Sequence, residues 1–158
     1  MKKVFAVALA FGLALAIPGG ISAKGPTAKI INTGGRLSLP LEVTAAEVVR
    51  QFNPWGHEFR DGARSAKKVD SPGRYPQPYE VQFYVKFSEK ETRMKYVIYY
   101  RPSTANQRGY IYVPVRGEPW HWHNAETIIT TTGWFQASRE WDRLVKPLIE
   151  AAEAAQRR

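Results

Sequence analysis

Not one cysteine occurs in the 158 residues, which removes disulfides, thiolate metal sites and a lipidated thiol behind an export signal. The fold must be held by packing and hydrogen bonds alone. No apolar run reaches the roughly 18 residues that mark a membrane-spanning helix; Val4 to Ile17 is stopped by Pro18-Gly19-Gly20. Only three histidines are present, and the chain has no Gly-rich phosphate cradle, nucleophile elbow or His-Glu-x-x-His helix. Internal repeats and low-complexity tracts are also missing, which excludes solenoid and array architectures.

What is present begins with an export pattern. Met1-Lys2-Lys3 is basic, Val4 to Ile17 is apolar, and Ile21-Ser22-Ala23 ends in a small residue. These are the three parts of a secretory signal, with cleavage expected after Ala23 and a periplasmic or extracellular destination. The apolar run is too short for a retained anchor, so no membrane span is expected after cleavage. Residues 24–158 remain as a single domain, long enough to build a self-sufficient core. Of the net charge of +9, Lys2 and Lys3 supply two, leaving +7 on the remainder. A basic exported chain is drawn to anionic cell-envelope polymers, glycans or headgroups, and nucleic acid is not an expected partner.

The chain is organised around Tyr79 to Val115, where three β-branched and aromatic runs follow one another. Tyr79, Val81, Phe83, Val85 and Phe87 alternate with polar neighbours or Tyr84; Met94, Tyr96, Ile98 and Tyr100 do so in the second run, and Ile111, Val113 and Val115 in the third. Period-2 alternation predicts strands with one buried face, and short polar connections make them a meander. Ahead of it, Ile30 to Thr33 and Leu37 to Leu41 flank Gly34-Gly35-Arg36, a hairpin whose second strand belongs on an edge because Pro40 cannot donate to a ladder. Thr44-Ala45-Ala46-Glu47 has the spacing of a capping box, opening a short helix to about Phe52.

From Asn53 to Pro78 repeated Pro and Gly break every periodicity, predicting a long loop pinned by Trp55 and Phe59 and exposed from Arg64 to Gly73. Beyond the meander, Trp120 to Asn124 reads as extended and Thr127 to Thr132 as a strand broken by Gly133. Ser138 is a good N-cap, and Trp141, Leu144, Val145, Leu148, Ile149 and Ala152 recur at helical spacing. Pro147 should kink or divide that C-terminal helix. The fold class is therefore α+β: an antiparallel meander sheet of about five or six strands with a short N-terminal helix and a C-terminal helix packed on it.

Gly34-Gly35 through Leu39-Pro40-Leu41-Glu42-Val43-Thr44, Phe52-Asn53-Pro54-Trp55, Tyr99-Tyr100 with Arg108-Gly109-Tyr110-Ile111-Tyr112-Val113-Pro114, and Trp134-Phe135-Gln136-Ala137-Ser138 with Trp141 are the landmarks of a wider pattern. In them the chain resembles a family of small exported bacterial proteins of unassigned function. That resemblance implies no activity, cofactor or catalytic residue.

Three groups of side chains are candidates for chemistry. His121 and His123 in an extended run would share one face, a spacing that can chelate zinc or copper with Glu118 or Glu126. His57, Glu58 and Asp61 place an imidazole near two acids, as general acid/base catalysis requires. The second face of the meander carries Tyr84, Lys86, Lys95, Tyr99, Arg101, Tyr110 and Tyr112, rings and cations suited to stacking on sugars and pairing with phosphate or carboxylate. Cross-strand Tyr and Lys pairs also stabilise sheets that bind nothing. Of the tryptophans, Trp55, Trp134 and Trp141 are expected in the core, and Trp120 and Trp122 at the surface. The chain is thus expected to be a non-enzymatic binding or envelope-associated module without a cofactor, the alternative being a hydrolase or metal-dependent enzyme using its histidines.

Overall fold

The alternating runs form one open antiparallel sheet of six strands in the computed structural model, which describes residues 24–73, 77–128 and 131–158. The signal expected at residues 1–23 lies outside the described residues. The strands are β1 (Thr27–Gly34), β2 (Leu41–Val43), β3 (Tyr79–Lys86), β4 (Thr92–Arg101), β5 (Tyr110–Val113) and β6 (Gly133–Gln136), in the order β2-β1-β3-β4-β5-β6. The meander lies at its centre, and β2 takes the edge that Pro40 requires.

One face of the sheet is the core. Ile30, Val81, Phe83, Tyr96, Ile98, Tyr100, Ile111, Val113 and Phe135 are all buried there. The helices α1 (Ala46–Gln51) and α3 (Arg139–Gln156) bring Val48, Trp141, Val145 and Ile149 to the same cluster, with Phe52 following α1 directly. Trp141 stands edge-on to Phe52 at 4.9 Å and to Tyr100 at 5.6 Å between ring centroids. Both helices therefore leave the opposite sheet face to other parts of the chain.

The helix ends follow the physics of caps. The Ser138 hydroxyl accepts the Trp141 N–H at 3.1 Å, as its position predicts. Pro147 does not divide α3: it removes a bond to the carbonyl of Arg143, and both residues are exposed, so water can satisfy that oxygen. The capping box expected at Thr44 does not form. The N-cap is Ala45, whose carbonyl accepts from Val48 and Val49. Starting one residue later moves Glu47 to the second helical position, where it cannot reach back as the third-position acid of a box does.

The largest departure from the pattern is at Trp120 to Thr132. The expected extended run is a helix, α2 (His121–Thr127), entered through Trp120 in the left-handed region with φ 66°. The expected strand from Thr127 does not begin there either; residues 129–130 lie outside the described residues, and the strand proper starts at Gly133, whose φ of 108° suits glycine. The cause lies in β4. Continuing the β4–β5 register beyond Tyr99↔Tyr112 would set Pro114 opposite Val97. Proline has no N–H, so β5 ends at Val113 and the side-chain amide of Asn124 takes the vacant place. It accepts the Val97 N–H at 2.9 Å and donates to the Val97 carbonyl at 2.6 Å.

The 53–73 loop is less free than its composition implies. Asn53 Oδ1 accepts from the N–H groups of Trp55 and Gly56, Phe59 is fully buried, and a short 3₁₀ turn runs over Ala63–Ser65. Bridges Arg60↔Ala137 and Lys68↔Phe135 lay the loop along β6, covering a sheet edge that would otherwise invite pairing with another chain.

Asn124→Ala strips both partners from a buried peptide group. Its unfolding free energy in urea should fall by about 2–4 kcal/mol at unchanged m-value. A loss well below ~1 kcal/mol would show that the amide does not hold α2 to β4.

Candidate functional site

The face opposite the core is built in rows by the strand register. Tyr99 pairs with Tyr112, which pairs with Trp134; in the next row Arg101, Tyr110 and Gln136 are partners. Ring centroids are 6.4 Å apart for Tyr99 and Tyr112 and 4.6 Å for Tyr112 and Trp134, so three half-buried rings form a ladder across β4, β5 and β6. The Arg101 guanidinium lies 5.0 Å from the Trp134 ring. Trp134, expected in the core, is thus part of the outward row, because Phe135 takes the inward position of β6.

The remaining predicted residues lie elsewhere on that face. Tyr84, Lys86 and Lys95 sit toward the β3–β4 hairpin, Tyr84 beneath Lys29 at 5.3 Å and Lys95 at a register shift near Phe87. The segment from Val115 through α2 roofs the middle of the face. The Trp120 indole donates to Glu80 Oε2 at 2.9 Å, Val97 beneath is fully buried, and Trp122 is left 59 % exposed beside Arg116. The ladder itself remains half open.

The phenols of the ladder are held as hydrogen-bond donors. Burial first, then the hydrogen bond to Glu118, pushes Tyr112 up to about 12; its hydroxyl donates to Glu118 Oε2 at 2.6 Å. Burial followed by the charges of Glu80 and Glu118 raises Tyr99 in the same direction. Past the Arg101–Tyr110 row, on the side of the sheet where α3 packs, is a cleft of about 380 Å³ lined by Tyr79, Tyr110, Ile149 and the cations Arg36, Arg101, Arg108 and Lys146, with Glu150 as the carboxylate in its wall. The combination of stacked rings and clustered cations was legible for Tyr99, Arg101, Tyr110 and Tyr112 from strand parity. Trp134 and the cleft become visible only with the register.

The histidine candidates do not assemble. Two positions apart on a helix, His121 and His123 point about 200° from each other instead of sharing a face. His121 Nδ1 lies 3.1 Å from the Pro114 carbonyl and His123 packs against Trp120 at 6.0 Å. Among the described residues no cluster of three His, Asp or Glu side chains could hold a metal ion. His57 packs instead between Phe59 and Tyr96, while Asp61 is exposed and paired with Arg108 at 2.9 Å. The three imidazoles therefore have different neighbours, and among the described residues no acid hydrogen-bonds His57.

His57 is 5 % exposed and sits in the left-handed region with φ 60°. Burial first, then the charges of Arg60 and Arg64, lowers its imidazole from the usual 6.5 to about 4. The unfolded chain binds this proton near 6.5 and the folded chain only near 4. The stability due to neutral His57 is complete above the first value and drains as the pH falls toward the second, by roughly 3 kcal/mol in all. His57→Asn keeps a residue tolerant of that backbone but removes the titration. Urea unfolding across this window should show a shallower pH slope for the variant; parallel slopes would reject the assignment.

No protein-family model, curated protein or solved structure matches the chain.

Proposed function

We propose that the chain is an exported, non-enzymatic binding module that holds an anionic glycan or cell-envelope polymer across the aromatic ladder on the outer face of its sheet and the cationic cleft beyond the Arg101 row. The observation that carries this is the Tyr99–Tyr112–Trp134 ladder together with that cleft, which has Arg36, Arg101, Arg108 and Lys146 in its wall. Aromatic faces stack on the apolar faces of sugar rings, and guanidinium forks pair with carboxylate or phosphate groups along the same polymer. Neither half of the arrangement alone reads an anionic glycan; their adjacency does.

The basic balance of the chain adds long-range attraction to such polymers, and the export pattern at the N-terminus would deliver it to them. No helix among the described residues is long and apolar enough to cross a membrane. The phenol hydroxyls remain protonated well above neutral pH and can donate to sugar oxygens where Glu118 and Glu80 release them.

The test replaces rings while keeping bulk. Tyr112→Leu with Trp134→Leu should lower retention on purified cell wall and on an anionic polysaccharide roughly tenfold, at about 0.5–1.5 kcal/mol per ring contact, with the far-ultraviolet spectrum unchanged. Raising the salt concentration should weaken what the rings do not hold. Undiminished retention by a folded double variant would remove the proposal.

A further inference from the structure

Arg60 is 3 % exposed, on the side of the sheet away from the ladder. Its backbone is fixed: its N–H donates to the His57 carbonyl at 3.0 Å, the next N–H donates to the Gln136 carbonyl, and the residue bridges Ala137. Its guanidinium, by contrast, lies over the Phe135 ring at 4.5 Å, reaches the Thr131 carbonyl only at 3.5 Å, and leaves buried Nε without a hydrogen-bond partner. Among the described residues no carboxylate forms an ion pair with it. A guanidinium stays charged at any physiological pH, and a buried charge without a counter-charge is costly enough that proteins keep few of them.

The space beside it is open and positive. A cavity of about 490 Å³ has Lys24, Arg60 and Arg64 in its wall, with Trp55, His57 and Thr127 around them and no acid among the described residues that line it. Arg64 is anchored by donating Nε and Nη2 to the Trp55 carbonyl at 3.1 and 2.8 Å. The Trp55 indole donates to the Gly25 carbonyl at 3.0 Å, which ties the Lys24–Gly25 segment to the same place. A second buried polar atom without a partner, His57 Nδ1, belongs to this wall. Cleavage after Ala23 would make Lys24 the first residue and add an α-ammonium to a residue that already lines the cavity.

We infer that this cavity is a binding site for a sugar-sized organic anion, its phosphate or carboxylate group held by Arg60, Arg64 and Lys24 and its body against Trp55. The volume lies within the range of small-molecule sites. The unpaired guanidinium supplies the second half of a bidentate ion pair that only a ligand completes. Burial lowers the His57 imidazole first, and the charges of Arg60 and Arg64 add to the same direction. Tyr112 and Trp134 are not part of this wall, so the site stands or falls independently of the ladder.

The experiment is a thermal and calorimetric titration of the purified chain with a glucose monophosphate, with glucuronate and with glucose itself, each repeated on Arg60→Met. Methionine keeps an apolar stem over Phe135 and removes the charge. The unliganded variant should melt higher than the wild type, because a buried unpaired charge is gone, and should bind the tighter of the two anions at least tenfold more weakly. The wild type should bind at least one anion tenfold more tightly than glucose and melt higher with it; which anion does so separates phosphate from carboxylate. Failure of both anions to bind, equal binding of glucose, or undiminished binding by a folded Arg60→Met would overturn the proposal. Arg64→Gln, at the exposed rim, gives a second variant should Arg60→Met not fold, and it too should weaken the preferred anion; unchanged affinity would count against the site.

Discussion

A proline in a ladder position determines the layout of the second half of the chain. With no N–H on Pro114 to meet Val97, β5 cannot continue, yet Val97 is fully buried and its peptide group must be satisfied. An asparagine amide carries one donor and one acceptor in the geometry of a peptide, and Asn124 supplies both. That single substitution of side chain for backbone fixes α2 against β4. Fixing α2 places Trp120 as the roof over Glu80, which leaves only the rows of Tyr99 and Arg101 open beyond it. It also sets Thr127 and Ile128 at the wall of the Arg60 cavity. Both candidate surfaces therefore owe their outlines to one pair of hydrogen bonds.

Where each strand has one buried face, the fold was legible, because burial and period-2 alternation are the same fact seen twice. Tyr79 to Lys86 and Ile98 to Arg101 show it, as do the edge position of β2 and the Ser138 cap. Trp120-His121-Trp122-His123 imitates that alternation and is a helix. Its conformation is selected by a contact with a residue 27 positions away, which no local window contains. Thr44 fails for a related reason: the spacing of a capping box is present, but the chain leaving β2 begins its helix one residue later.

The sites divide along the same line. Tyr99, Arg101, Tyr110 and Tyr112 were placed on a common face by parity alone, since parity follows from any extended run. Trp134 was assigned to the core by its size, and only the pairing of Ile111 with Phe135 shows that it faces outward. Arg60 carried no signal. A burial imposed by a bridge to Ala137 and a ring from Phe135 is a tertiary event, invisible in a stretch dense with Pro, Gly and charge.

The isolation of Arg60 is sharpened by the other deeply buried charge among the described residues. Glu153 is also 3 % exposed, and around it the fold has gathered the Tyr79 hydroxyl and the guanidinium groups of Arg36 and Arg157, each of the latter at 3.3 Å. Long flexible arginines reach it from outside, so desolvation of the carboxylate is offset where it lies. The same chain has Glu58 and Asp61 on either side of Arg60 in sequence, yet Asp61 turns to Arg108 and Glu58 to Gly56. Neither acid pairs with Arg60 among the described residues. A fold able to neutralise one buried charge with three partners, and leaving another bare against a cavity that two more cations line, has kept that charge for something that enters from solution.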